Sequence, residues 1–429
     1  MVVPTIVPRA EHRISRRDID PDALKVLYRL HQSGHAAYLV GGGVRDLLLG
    51  LHPKDFDIGT DAHPGQIKKQ FRNCWIIGRR FRLAHVRFGP KTIEVATFRR
   101  QMPPEPQSPE AEAARHAVDN TWGTPEEDAF RRDFTVNALF YDIATFSVID
   151  YVGGLHDLRA RVIRSIGDPN VRFLEDPVRM LRAVVLAARL DFTIDPPILE
   201  AIARHREAIG LSAPARLMEE HFKILRSGAS ERVFRRLGDV GLLQHIAPPL
   251  MQAPEPFWSS LRRLDAYRRR FTSAPDTLTN AVLVGSVLPP IGALAPRPRR
   301  PDGEEDRPRG ITLGLLPVPK RDVERLRHLM AIQRRLLDLD APPRAQRGLF
   351  HRHILPEAVS WLEIHGGRPE VVDHWRALMH APRAHHAADE GEHGQPQPPP
   401  QMTGDDQRPR RRRRRRRGGR RRRPRPVAE

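Results

Sequence analysis

The 429 residues contain one cysteine, Cys74. That excludes an internal disulfide framework and suits a reducing cytosol, so a cytoplasmic protein is expected. Long apolar runs are missing too. The longest, Ala281 to Pro296, is too short to span a bilayer and contains Pro289-Pro290. It reads as a buried helix running into a loop, and no membrane span is expected. Ile6 to Asp20 is already charged, so nothing at the N-terminus resembles a signal peptide. No internal repeat is present. Acidic charge is the third shortage: 52 Asp and Glu against 72 Lys and Arg leave a net +20. From Gly404 to Glu429, fourteen arginines face three acids, so this stretch carries +11 and the remainder +9. Both parts are basic, which makes a polyanion the natural partner, through counterion release from nucleic-acid phosphates.

What is present begins with Leu39-Val40-Gly41-Gly42-Gly43-Val44-Arg45-Asp46-Leu47-Leu48-Leu49-Gly50, followed by Lys54-Asp55-Phe56-Asp57. A short apolar strand, Ala36 to Val40, runs into glycines, and a helix with an arginine in its first turn follows. Such glycines let backbone N–H groups approach a phosphate, and a helix N-terminus favours negative charge. The spacing is not the G-x-G-x-x-G of a dinucleotide fold. Asp55 and Asp57, at i and i+2 on a strand, point to one face. Two carboxylates beside a phosphate cradle suit metal ions that bridge phosphoryl oxygens and an attacking hydroxyl. The pattern reads as a nucleotidyl-transfer site. Glu94, on a second strand of a hairpin turning at Gly89-Pro90, reads either as a third carboxylate of that cleft or as a buttress for an arginine.

These motifs, with Ile93 to Arg99, Arg131-Arg132-Asp133-Phe134-Thr135-Val136-Asn137-Ala138-Leu139 and Glu175-Asp176-Pro177-Val178-Arg179-Met180-Leu181-Arg182, occur in the order found in a known family. The chain resembles the class II template-independent nucleotidyltransferases, which comprise bacterial poly(A) polymerases and the enzymes that add CCA to transfer RNA. The resemblance covers roughly residues 36 to 190. It implies an α/β nucleotidyltransferase head with a polymerase-β-like palm, an all-α C-terminal half and a disordered Arg-rich tail. It also implies Mg²⁺, with Mn²⁺ as the alternative, at Asp55 and Asp57, and Asp133 as a third acidic member of the site. Gly42 and Arg45 match positions that contact the triphosphate. A guanidinium fork fits phosphate oxygens; a salt bridge from Arg45 to Asp46 or Asp57 is the alternative, and both can hold at once. Arg132 matches a position that fixes the sugar and phosphates. Asp176, Arg179 and Arg182, at i, i+3 and i+6, are expected on one helix face that reads the base. The family usually continues that face with a third arginine and an aromatic. Val185 and Leu186 stand there instead, which puts the strictness of ATP selection in question, and Arg189 compensates only in part.

Ile76 to Val86 resembles the signature of the bacterial poly(A) polymerases, as do Ile6 to Arg16 and the arginine tail. The resemblance therefore implies addition of AMP from ATP to RNA 3′ ends, promoting RNA decay, with RNA-decay proteins as possible partners and a monomeric chain. A CCA-adding enzyme is one alternative, and a catalytically idle RNA-binding factor is another. The histidine pairs His351/His353 and His385/His386 have no cysteine partners, so zinc is not expected.

The expected organisation is a basic extension over residues 1–22, extended or loosely docked over 1–20, a catalytic head over 23–167, and a helical neck over 168–230. A helical body over 231–386 and the tail over 387–429 complete it. Residues 101–118 read as a proline-rich insertion. Beyond Asp168 helical periodicity replaces alternation, and the arginines of the tail cannot pack into a core.

Overall fold

The computed structural model describes residues 3–78, 82–100, 121–294, 310–350 and 352–380. The expected insertion, the Arg-rich tail, residues 79–81 of the poly(A) polymerase signature, His351 and the His385/His386 pair lie outside the described residues.

Asp20 starts the first long helix, Pro21–Gln32, by accepting hydrogen bonds from the N–H groups of Asp22 (2.9 Å) and Ala23 (3.3 Å). Gly34, at φ +83°, turns the chain out of it. The head is then built on eight strands: β1 (Thr5–Val7), β2 (Ala37–Val40), β3 (Asp57–Thr60), β4 (Cys74–Ile77), β5 (Leu83–Phe88), β6 (Lys91–Thr97), β7 (Leu139–Asp142) and β8 (Val148–Asp150). They form one sheet in the order β1-β8-β7-β2-β3-β6-β5-β4, in which only β3 and β6 pair in parallel. One face is apolar: Ile58, Ala84, Val86, Ile93 and Val95 are buried in the main core, which continues into the helical half. The opposite face carries Asp57, His85 and Glu94, and its alternation with the core face is the period-2 signal of a half-covered sheet.

Three expectations are corrected. Of the N-terminal extension, expected to be extended or loosely docked over residues 1–20, residues 3–20 are not loose. β1 pairs with β8, Ile6 opposite Ile149, and Ile14 and Ile19 are buried. The few apolar residues among the charges close a sheet edge that would otherwise be open. Secondly, the sequence suggests a helical segment opened by Pro125 that carries Arg132 and Asp133, whereas that helix ends at Phe130, before both. A capping box between Thr124 and Glu127 starts it, and the two motif residues occupy the turn that follows. Thirdly, Asp176 is not on a helix face. The helix Pro169–Glu175 stops there, with Asp176 in extended backbone, and Val178–Leu190 begins after Pro177. Proline disfavours helical backbone in the residue before it.

The second half is helical as expected. Val178–Leu190 packs against Ser230–Asp239, and Pro196–His205, Pro214–Leu225, Lys320–Leu337, Leu355–His365 and Pro369–His380 follow. The helical stretch from Pro356 to Leu378 divides at Gly366-Gly367. Short strand pairs join Val162–Ile163 to Thr193–Ile194 and Thr312–Leu313 to Leu316–Pro317. Ala281 to Val284 are buried, as the apolar run required. Among the described residues no helix is long and apolar enough to cross a membrane.

Candidate nucleotidyl-transfer site

β2 delivers the chain to Gly41, whose φ of +73° only glycine adopts without strain. A Cβ on Gly41 would lie 2.9 Å from Arg132 Nη1, and one on Gly42 would lie 3.3 Å from Arg45 Nη2. The glycines therefore admit two guanidinium groups against the turn as well as leaving its backbone open. The helix Gly42–Leu48 follows at once.

Asp57 opens β3 and Asp55 stands two residues earlier, in the segment leading into the strand. Extending the parallel register one step from Ile58 and Val95 sets Asp57 beside Glu94. Glu94 therefore lies on the same face as Asp57, and among the described residues no arginine pairs with it. It faces His85 Nε2 at 3.8 Å. Asp55 has only an exposed contact with Lys54 at 3.5 Å, and among the described residues no cation pairs with Asp57. Although Asp57 reaches solvent, protein crowds it on most sides. That crowding, followed by the charges of Glu94 and Asp55, pushes its carboxyl up to about 6, against a smaller opposing pull from Arg132. All three donors are hard oxygens, the set that suits Mg²⁺ together with substrate phosphates. No ready-made cluster of three or more metal-binding side chains exists among the described residues. Two carboxylates completed by a triphosphate fit the arrangement, since Mg²⁺ is usually held that way.

Arg45 is not aimed at solvent. It is 4% exposed, donates through Nε to Asp46 Oδ1 at 2.8 Å, and donates through Nη1 to Asn137 Oδ1. The salt bridge to Asp46 is therefore formed and one to Asp57 is not. Asn137 passes the chain of bonds to Asp133, whose Oδ1 accepts from its side-chain amide at 3.1 Å and from the N–H of Phe134 at 2.9 Å. Asp133 Oδ2 meets Arg182 at 3.4 Å. Arg182 also lies 3.7 Å from Glu220. Arg132 is held by a fork onto Asp128 Oδ2, at 3.1 and 2.9 Å, above the ring of Phe140. It lines a pocket of about 330 Å³ with Gly59, Ala96, Arg99 and Arg131. Gly59 lies two residues along the strand from Asp57.

The three residues expected to read the base are all engaged. Asp176 receives both Nη atoms of Arg216, at 2.9 and 2.7 Å. Arg179 donates to Glu175 and to the carbonyl of Arg172. Reasoning from sequence missed Arg216, Asn137, Asp128 and Arg172. Arg172 is buried and donates to the carbonyls of Arg131 and Arg132 at 2.6 and 2.7 Å, fixing the neck to the turn that holds Asp133. Asn137 lay within a quoted motif and was legible there. Arg216 lies forty residues from its partner in a helix with an ordinary amphipathic pattern, and carries no local signal.

A second cavity, about 530 Å³, opens between Arg263, Arg270, Glu363 and His365 in the helical half. Its carboxylate is already paired with Arg270 and Arg376, so it offers no anionic group for metal chemistry.

A mixed sheet that carries a glycine turn, closely spaced carboxylates and an arginine-lined pocket is the arrangement of a nucleotidyltransferase head. Residues 37–164 match the family described as poly A polymerase head domain, and residues 191–253 match a probable RNA- and SrmB-binding site of polymerase A. The chain is 52% identical over 250 residues to poly(A) polymerase I of Salmonella typhi, covering 57% of this chain and 54% of that one. It is 51% identical over the same length to poly(A) polymerase I of Escherichia coli O6:H1, with the same shares covered. The chain thus spans about half the length of the curated relatives it matches. The fold is similar to that of the Bacillus stearothermophilus CCA-adding enzyme in complex with CTP, with 28% identity, a TM-score of 0.56, and 83% and 82% of the two chains covered. Residues 37–164 and 191–253 are thus similar to the head and RNA-binding regions of poly(A) polymerases.

Proposed function

We propose that the chain adds AMP from ATP to the 3′-hydroxyl of RNA without a template, and that Asp55 and Asp57 hold Mg²⁺ for the reaction. One observation carries this reading: Asp57 stands beside Glu94 and close to Asp55, with no cation paired to it among the described residues, on the strand whose Gly59 lines a pocket with Arg99, Arg131 and Arg132. Uncompensated carboxylates are costly, and a divalent cation with phosphate ligands compensates them. Bound there, the ion would neutralise charge on phosphoryl oxygens and favour ionisation of the attacking hydroxyl.

The chain's own residues do the positioning. The open turn at Gly42 receives phosphate oxygens, and Arg132 faces the same cleft from its fork on Asp128. Arg45 acts from beneath, holding Asp46 and Asn137 and, through Asn137, Asp133. Asp176, Arg179 and Arg182 read the base after exchanging their present partners for its edge. Asp133 holds Arg182 and so ties that reading to the head. We place the head at residues 23–167, the neck at 168–230 and the body at 231–386. Similarity to the two poly(A) polymerases favours adenylate addition. The CCA-adding reading retains support from the likeness to a CTP-bound CCA-adding enzyme.

Incubation with Mg²⁺, an unstructured RNA or transfer RNA, and each labelled triphosphate in turn separates the readings. Long ATP-dependent extension is the expected result. Arrest after one to three nucleotides on transfer RNA would establish CCA addition, and no extension would leave an RNA-binding protein.

A further inference from the structure

The open face of the sheet continues past the carboxylates to its edge. His85 opposes Glu94 across β5 and β6, and Trp75 opposes His85 across β4 and β5. Residues directly opposed in a ladder share a face. Trp75, His85, Glu94 and Asp57 therefore make one row across four strands, about 14 Å long at a strand spacing of ~4.8 Å. β4 is the edge strand. At this end of the row Trp75 is 50% exposed, and Ile77, on the same face, is 51% exposed. The guanidinium of Arg87, from β5, lies 5.7 Å from the Trp75 ring centroid, and no carboxylate pairs with it among the described residues.

An exposed indole on an edge strand is a liability for a protein with no use for it. Beside an unpaired guanidinium it supplies the two elements of a single-strand subsite: a π surface for a base and a cation for the adjoining phosphate. The row leads from this platform to Asp57, and the net +9 outside the tail favours a polyanion over a protein partner here.

We propose that Trp75 and Arg87 form a stacking subsite for an unpaired nucleotide upstream of the RNA 3′ end, with the terminal nucleotide at Asp57. The inference rests on the function proposed above. A stacked strand rises ~3.4 Å per nucleotide, so the platform meets a base about four positions from the end, or fewer if the strand is extended.

The test uses the full chain and a fluorescein-labelled, unstructured oligoribonucleotide, with anisotropy read in the absence of ATP and divalent metal. Trp75→Ala should weaken binding about fivefold to a hundredfold, the range for loss of one base-stacking aromatic. Trp75→Phe should restore most of it, with ATP affinity and melting temperature unchanged in both. In the wild-type chain, 4-thiouridine scanned along the RNA should crosslink to the peptide containing Trp75 from about four or fewer positions before the end. Wild-type affinity in Trp75→Ala, or crosslinks that pass over that peptide, would overturn the proposal. Because binding is read without catalysis, the two readings fail separately. A chain that binds through Trp75 but adds no AMP defeats the proposed function, and one that adds AMP indifferently to Trp75 defeats only this subsite.

Discussion

The head and the neck treat charge in opposite ways. On the sheet, Asp57 has no cation paired to it and lies beside Glu94, and Asp55 has only an exposed lysine 3.5 Å away. In the neck, Asp176 is forked by Arg216, Arg179 is tied to Glu175, and Arg182 rests between Asp133 and Glu220. The head thus holds an excess of negative charge that only an added cation relieves. The neck is already balanced. On the function proposed above, binding energy at the head would come from charge neutralisation, and discrimination in the neck would come from exchanging its present hydrogen-bond partners for a base, with a wrong base leaving a polar group unpaired.

The largest effect should come from the head. Asp57→Asn removes one carboxylate from the cluster and should lower extension about a thousandfold or more, several kcal/mol of transition-state stabilisation. Because the substitution also relieves repulsion from Glu94 and Asp55, the melting temperature in metal-free buffer should hold or rise. Substantial residual turnover, or a marked loss of stability, would show that Asp57 is a structural carboxylate and that the two regions do not differ in this way.

The neck should respond in selectivity. Arg179→Ala is expected to narrow the preference for ATP over CTP by about tenfold to a hundredfold, the range for one lost base-reading contact, with a smaller loss of overall rate. Equal losses with every triphosphate would reduce Arg179 to a tether for Glu175 and the Arg172 carbonyl. Val185, in place of a family arginine, leaves one cation fewer on this helix, so wild-type selectivity is itself informative when measured first.

Much of this contrast was legible in the sequence. The strand, the glycine turn and the paired aspartates are local, and each rests on a short-range rule: period 2, positive φ at Gly41, spacing i to i+2. The hairpin at Gly89-Pro90 was legible for the same reason, and it placed Glu94 on the correct strand. Burial is not local. The burial of Arg45 was not legible because nothing in Gly-Val-Arg-Asp tells that Asn137, ninety-two residues on, closes over it. Asp176 was set on a helix with Arg179 by counting through a proline that ends the helix. The N-terminal strand was missed because three residues pairing with a distant edge leave almost no pattern of their own.

Arg45 offers a sharper test of the division between bare and balanced charge. As a buried bridge it should matter first for stability: Arg45→Ala removes the donor to the Asn137 side-chain carbonyl oxygen and leaves Asp46 only Arg189, at 3.5 Å, and should cost about 1–3 kcal/mol. The melting temperature would fall by several degrees before any effect on triphosphate affinity is considered. Arg45→Lys keeps the charge but not the fork, and should recover only part. Unchanged stability with a raised KM for ATP would instead make Arg45 a direct phosphate contact and move it to the exposed side of the comparison.

A further effect is one of pH, and it runs in opposite directions in the two regions. His221, within the helix Pro214–Leu225, is packed against Phe222 and Phe234, and burial lowers its imidazole to about 4. His365, against Trp361 and Ser286, is lowered to about 3 by burial and then by Arg263. An unfolded histidine takes up its proton near 6.5, while these two stay neutral in the folded state until pH 4 or below. Between those values the unfolded chain binds more protons, so the helical half should lose stability as pH falls from about 6.5 to 4. Asp57 has the reverse sign. Its folded carboxyl titrates near 6, above the unfolded value of about 3.9. In metal-free buffer, acidification through that window therefore relieves the head. Hydrogen exchange followed from pH 7 to pH 4.5, corrected for the intrinsic rate, should show Pro214–Leu225 and Leu355–His365 opening while β3 and β6 remain protected. Loss of protection that begins in the sheet, or that proceeds uniformly through both regions, would mean that buried imidazoles do not set the acid limit of this fold. His221→Phe, which keeps an aromatic ring but removes the titrating group, should flatten the dependence in the first of those helices.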